Sequence, residues 1–285
     1  MKLVTFRHDE EIRHGRLVEN GTVVQPLGNG DLTALLSGRN EPTAAGPAFP
    51  LADVELLAPL LRPGKLLAAA ANYQDHMTEA GGDPLDKSRR SPRLFLKPPT
   101  SIVGPGADIP VPSVGKEVDW EAELAVVIGA TARDVPVGRA LDIVGGYVTS
   151  NDVSARSMDF GYERDTGDKH VRFFDWLAGK WLDGFAPMGP WLVTPEEVPD
   201  PQALDIRLDV NGKRRQDGST KDMIFSVAEL VSFASTLMTL EPGDVIMTGT
   251  PAGVGAATGE YLEAGDEMSV TIGGLGTLTN RMVVR

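Results

Sequence analysis

Along residues 117–128, Val118, Trp120, Ala122, Leu124, Val126 and Ile128 alternate with Glu117, Asp119, Glu121, Glu123, Ala125 and Val127. A period of two predicts a strand with one apolar face. The opposite face carries carboxylates until it turns apolar at Ala125, which places Glu123 at the rim of burial. Similar apolar runs bounded by turn residues predict strands over 1–6, 16–24, 66–71, 93–96, 143–150, 191–194, 206–210, 245–248 and 267–272, with a further short one at Ile102. Asn211-Gly212 predicts a hairpin turn after the 206–210 strand, because both central positions of that turn want positive φ.

Helical spacing is rarer. Residues 31–36 predict one helical turn, and a short helix following Asn72 is expected to end at Gly81-Gly82. Val227, Leu230, Val231, Ala234, Leu237 and Met238 follow a period near 3.6 behind Ser226 and Glu229, which form a capping-box pair. Residues 38–50, rich in Gly, Pro and Ala, predict a linker. The expected organisation is a small N-terminal domain over 1–60 and a large domain over 61–285, α+β in class and mostly β.

Residues 161–172 stand apart. They carry Glu163, Arg164, Asp165, Asp168, Lys169 and His170 with almost no apolar period. A solvated surface loop and a mobile lid over a site both satisfy that pattern.

Composition narrows the function classes. Hydrophobic residues make up 41% and charged residues 24%, an ordinary globular mix. The 27 Lys plus Arg against 40 Asp plus Glu leave a net charge of −13, which argues against nucleic acid or an anionic membrane as partner. An acidic chain that takes an anionic ligand needs a local device, such as a metal ion, to reverse the field. There is no cysteine, so thiol catalysis, disulfides and sulfur-ligated metal sites are excluded. Lys2, Arg7 and Asp9 interrupt the region where a signal peptide's apolar core would sit, and no apolar run approaches the ~18 residues of a membrane helix. A cytoplasmic location is expected.

Four constellations could carry chemistry. Glu121 and Glu123, two apart on one strand, point the same way roughly 7 Å apart, either as an exposed acidic face or as half a site for a hard divalent ion. Asp152 follows a predicted strand, where it could complete that site or instead form an Asx turn or cap a helix over 154–158. His76 and Glu79 lie three apart on the short helix, an arrangement that serves an oriented general base or an ordinary surface pair. Thr248-Gly249-Thr250-Pro251-Ala252-Gly253-Val254-Gly255 follows an apolar strand and lets backbone N–H groups approach a ligand, but it is no dinucleotide fingerprint.

The order of these motifs is the more specific signal. Asn72-Tyr73-x-x-His76-x-x-Glu79, Glu121-x-Glu123, Asn151-Asp152-Val153-Ser154-Ala155-Arg156, Gly179-Lys180, Gly184 to Gly189, and Thr248-Gly249-Thr250-Pro251-x-Gly253-Val254-Gly255 together resemble the fumarylacetoacetate hydrolase family from about residue 60 onward. The first ~60 residues resemble the small leader domain of its shorter bacterial members. The resemblance implies a mixed β-sandwich roll assembled as a homodimer. It implies Glu121, Glu123 and Asp152 as ligands of Mg²⁺ or Mn²⁺, with Ca²⁺ as a substitute. His76 and Glu79 match a water-activating dyad, with Lys180 beside them in the catalytic set. Tyr73, Arg156, Asp159 and Thr250 fall at substrate-binding positions, for a small anionic 2-oxo acid. Asp159 departs from the Gln that many members carry there, so it bears on substrate identity, and Arg164 or Lys169 could pair with it.

The implied reaction is hydrolysis of a carbon–carbon bond in an acylpyruvate-type (2,4-dioxo) acid through an enolate that the ion stabilises. The same metal site would serve an oxaloacetate-type decarboxylase or a keto–enol tautomerase or isomerase. A non-catalytic metal-binding β protein is the reading outside these classes, and the His76–Glu79 dyad argues against it.

Overall fold

A computed structural model describes residues 1–38, 43–79 and 81–285. Its centre is a sheet of twelve strands. From one edge its main path runs Phe49–Pro50, Val23–Asn29, Glu11–Val18, Lys2–His8, Ala186–Val193, Val144–Asn151, Ala122–Ile128, Val245–Met247, Leu66–Ala70 and Arg93–Leu96. The N-terminal strands therefore extend the sheet of the larger part, through Leu3 opposite Leu192. A second sheet of five strands contains Lys213–Ser219, Asp205–Val210, Glu267–Ile272, Gly276–Val283 and Asp108–Pro110.

Two cores follow from this layering. Leu124, Val126, Ile128 and Tyr147 of the large sheet pack with Ile206, Leu208, Val270 and Met282 of the second sheet. On the reverse face, Ala125, Val127, Val148, Val245 and Met247 pack with Leu3, Leu32, Leu66 and Leu192. Ala122–Ile128 is consequently buried on both faces along its whole length. The fold is the mostly-β sandwich roll with few helices that the sequence led us to expect.

Several predicted elements change. The single strand over 16–24 is two strands, Glu11–Val18 and Val23–Asn29, around a turn in which Glu19 and Asn20 take positive φ. The strand over 118–128 is likewise divided into Gly115–Asp119 and Ala122–Ile128. Gly115–Asp119 leaves the large sheet to pair with Ser154–Met158, a strand where a helix was one alternative. The segment 161–172 is not loop throughout: Asp168 caps a helix, Lys169–Ala178, whose first turns are too polar to show an apolar period. Residues 39–42 of the expected linker, and Ala80 before Gly81-Gly82, lie outside the described residues; the short helix itself is Gln74–Glu79. Phe49–Pro50, at the linker's end, pairs with Val23–Asn29.

Other expectations hold closely. Ser226 and Glu229 form the full capping box ahead of Val227–Leu237. Asn211 and Gly212 both take positive φ in the hairpin between Asp205–Val210 and Lys213–Ser219. Among the described residues no helix is long and apolar enough to cross a membrane.

Candidate metal centre and its surroundings

Strand directions concentrate the polar residues. Ala122 lies opposite Asn151, so the start of Ala122–Ile128 meets the end of Val144–Asn151. Val245–Met247 runs antiparallel to Ala122–Ile128 and parallel to Leu66–Ala70, so those two strands also finish on this side. Glu121, Glu123, Asp152, the 248–256 loop and Asn72 therefore converge at one end of four neighbouring strands.

Glu121, Glu123 and Asp152 each present an oxygen within 4.8 Å of the others. All three are at least 94% buried. The Asp152 N–H donates to the Glu121 carbonyl at 2.8 Å, and the Asn151 side chain accepts from the Glu121 N–H at 2.9 Å, which fixes the two chain segments together. Cations surround the cluster unevenly. Lys180 Nζ donates to Glu121 and to Asp152, both at 2.8 Å. Arg156 bridges Asp119 and Glu121 at 2.7 Å each. Lys97, whose side chain is fully buried, pairs with Asp152.

The electrostatics follow. Burial alone would raise the Glu121 carboxyl, yet Lys180 and Arg156 outweigh it and hold that carboxyl well below the usual range. Burial lowers the Lys97 ammonium, with Asp152 opposing. Glu123 has no cation within ion-pairing distance among the described residues; it accepts only the Gly249 N–H, at 2.7 Å. Burial, then Asp152 and Glu121, push its carboxyl well above the ordinary value. An all-oxygen donor set with one uncompensated carboxylate suits a hard divalent cation such as Mg²⁺ or Mn²⁺. The residues present fit the group.

His76 faces the same pocket, of about 230 Å³, as these carboxylates, Arg156, Lys180 and Thr250. Its Nδ1 lies 2.5 Å from Glu79 Oε1, while Glu79 Oε2 accepts the Gly253 N–H at 2.6 Å. Glu79 thereby ties the Gln74–Glu79 helix to the 248–256 loop. Thr250 Oγ1 donates to the Ala122 carbonyl and accepts from Gln216, each at 2.8 Å.

Three expected positions, Tyr73, Glu79 and Asp159, are not on the pocket wall, and Glu79 reaches it only through His76. Tyr73 is fully buried in the core between the sheets, and its hydroxyl has no hydrogen-bond partner among the described residues. Asp159 is exposed and accepts the Gly161 N–H at 2.9 Å. Arg164, one partner considered for Asp159, instead pairs with Asp175.

Comparisons with known proteins identify the family and the fold. Residues 65–283 match the fumarylacetoacetate (FAA) hydrolase C-terminal family, and residues 1–59 match the Rv2993c-like N-terminal family. The chain belongs to the fumarylacetoacetate hydrolase family. It is 44% identical over 242 residues to Protein Rv2993c of Mycobacterium tuberculosis, covering 85% of this chain and 83% of that protein. Among solved structures, the fumarylacetoacetate hydrolase from psychrophilic Exiguobacterium antarcticum superimposes with a TM-score of 0.84 at 36% identity, covering 100% of both chains. The 5-carboxymethyl-2-hydroxymuconate delta-isomerase from Mycobacterium smegmatis gives 0.80, also at 36% identity and 100% of both chains.

Within this fumarylacetoacetate hydrolase fold, four supporting residues escaped the sequence reading. Lys97 looked like an ordinary lysine after a strand, and Gln216 sits in a strand, Lys213–Ser219, with no apolar signal. Asp119 is fully buried and accepts from Arg156, Gly255 and Ala256. Asn72, part of a motif but without an assigned role, donates to the Phe225 and Thr248 carbonyls and accepts the Phe225 N–H. A buried amide satisfied on both sides is a structural tie; its sequence signals were its place at a strand end and in the motif.

Proposed function

We propose that this chain is a divalent-metal-dependent hydrolase that cleaves a carbon–carbon bond in acylpyruvate-type, 2,4-dioxo acids. The observation that carries the reading is His76, hydrogen-bonded to Glu79, facing the same pocket as Glu121, Glu123 and Asp152. An ionised carboxylate only accepts hydrogen bonds, so the proton between them belongs to Nδ1, and in the neutral imidazole Nε2 is then the nitrogen that carries the lone pair. That is the state in which a histidine accepts a proton from water.

A divalent ion held by Glu121, Glu123 and Asp152 would supply Lewis-acid polarisation at the 2-oxo acid end. Arg156 and Lys180 bring positive charge to that end and orient the anion, which is positional work. His76 takes a proton from the water that attacks the distal carbonyl. Cleavage then yields the acyl acid and pyruvate, and the proton taken from water balances the one that the methylene carbon regains. The likeness to the Exiguobacterium hydrolase supports the reaction class. The likeness to the Mycobacterium smegmatis isomerase makes isomerisation the reading to be tested against it.

The test is incubation of the purified protein with Mn²⁺ and either acetylpyruvate or oxaloacetate, followed by mass analysis of products in ¹⁸O-labelled water. Acetate carrying ¹⁸O, together with pyruvate, is the expected result. Exchange of methylene protons without cleavage would replace the reading with isomerisation. Carbon dioxide from oxaloacetate alone, above the metal-only rate, would replace it with decarboxylation.

A further inference from the structure

The pocket that holds the carboxylates and His76 is small, and it does not stand alone. Its wall residues Ala70, Arg93, Phe95 and Trp176 also line a second, much larger cleft of about 1050 Å³. Phe95 and Trp176 meet edge to face, with ring centroids 5.1 Å apart, and form the seam between the two spaces. Sites for whole drug-sized ligands run from about 300 to 1,000 Å³, so the inner pocket is the size for a fragment and the adjoining cleft can take the remainder.

The chemistry of the cleft is distinct from that of the inner pocket. Leu66, Leu94, Leu96, Phe173, Leu177 and Trp181 line it. Its lysines are already committed: Lys97 to Asp152, and Lys65 to Asp244 and Glu241. Arg93, at the seam, is solvent-exposed. Phe173 is 63% exposed and Leu96 is 54% exposed, so a substantial apolar surface flanks the entrance. Transfer of an apolar group from water into such a cleft is favourable by roughly 25 cal/mol per Å² buried, whereas a second carboxylate there would lose hydration for a single solvated guanidinium.

We infer that the cleft beyond the Phe95–Trp176 seam is the acyl subsite, and that the substrate's distal group is bulky and apolar, of the aroyl or branched long-chain class. The inference rests on the hydrolase reading for its reaction, but the subsite itself is a statement about binding. The 2-oxo acid end occupies the inner pocket, its scissile bond lies near the seam, and the released apolar carboxylic acid leaves through the cleft.

The experiment compares three acylpyruvates on the Mn²⁺-loaded protein: acetylpyruvate, benzoylpyruvate and fumarylpyruvate, the last with a distal carboxylate. Dissociation constants come from calorimetry and kcat/KM from product mass. Benzoylpyruvate is expected to bind, and if cleaved to turn over, about tenfold or more better than acetylpyruvate, the scale that one or two added methylene-sized contacts give in an apolar pocket. Phe173→Asp, at a position 63% exposed, is expected to reduce that preference at least about fivefold by placing a carboxylate in the cleft. Equal affinity for benzoyl and acetyl compounds overturns the inference while leaving a hydrolase that cleaves acetylpyruvate intact. Preference for fumarylpyruvate overturns it in favour of Arg93 acting on a distal carboxylate. Tighter benzoylpyruvate binding without any cleavage supports the subsite and defeats the hydrolase reading instead. If Phe173→Asp converts a dimer to a monomer with selectivity unchanged, the cleft is a subunit contact and the inference fails.

Discussion

The backbone N–H of Gly249 donates to Glu123 Oε2 at 2.7 Å, and it is the only hydrogen bond that Glu123's carboxylate receives among the described residues. Gly249 takes φ +93°, and a Cβ at that position would lie 2.7 Å from the Asn72 Cβ. The loop thus reaches the carboxylate only because residue 249 has no side chain. Gly249→Ala is expected to push the loop from Asn72 and release Glu123. Calorimetric Mn²⁺ titration of the soluble variant should show at least about a tenfold weaker site, from strain of about 1–3 kcal/mol. Wild-type affinity would show that the contact does not position Glu123.

Glu123 is buried beside two other carboxylates with no cation of its own among the described residues, so burial and those neighbours disfavour its ionised form until a cation arrives. The neutral isostere Glu123→Gln should therefore hold or raise the melting temperature in chelator while weakening Mn²⁺ binding. A lower melting temperature with unchanged metal affinity would assign Glu123 a purely structural role.

The proposed function assigns His76 as base and not as ligand: Glu121, Glu123 and Asp152 form the cluster of close donor atoms among the described residues, and His76 is not part of it. His76→Ala should lower kcat by about 10²–10⁴ while Mn²⁺ affinity stays within a few-fold of wild type. A large loss of metal affinity in the titration would contradict that role.

Outside the pocket lining, Ser226 accepts the Glu229 N–H, and the Glu229 carboxylate accepts from Ser226 in return. Ser226→Ala should cost about 1 kcal/mol in denaturant unfolding. Burial raises the Glu229 carboxyl, but hydrogen bonds from Lys87 and Ser226 outweigh this and leave it below its ordinary value. A depressed folded value stabilises above the unfolded pKa, and that contribution fades as pH falls through the folded one. Wild type should therefore lose stability in acid more steeply than Glu229→Gln; parallel curves would show that the carboxylate contributes nothing.

Much of the site was legible because its motifs are local. His76 and Glu79 share a face on any helix through them, and Glu121 and Glu123 share a side on any extended chain, whatever surrounds them. Asp152 was legible as a strand-end carboxylate, but its segment had to meet that of Glu121 and Glu123 before it became part of a cluster. The helix Lys169–Ala178 was missed because the polar segment that drew attention, 161–172, ends before Phe173, Phe174, Trp176 and Leu177, which supply most of its apolar side chains. Lys213–Ser219 was missed for a related reason: its one buried side chain is Gln216, whose hydrogen bonds to Thr250, Pro251 and Ala122 give it no hydrophobic signature.

By itself, the sequence determined the strand-rich class, the capping box, the Asn211-Gly212 hairpin and the identity of the chemical groups, because each depends on residues within a few positions of one another. Tertiary structure decided which charges meet. Ala122–Ile128 is buried on both faces because two cores close over it, and alternation along one strand carries no information about what covers the second face. Lys97, Lys180 and Arg156 come from separate segments to neutralise Glu121 and Asp152, and they leave Glu123 uncompensated. That imbalance is a property of distances across the fold, where the cost of a buried charge depends on neighbours that the chain brings together only after it has folded.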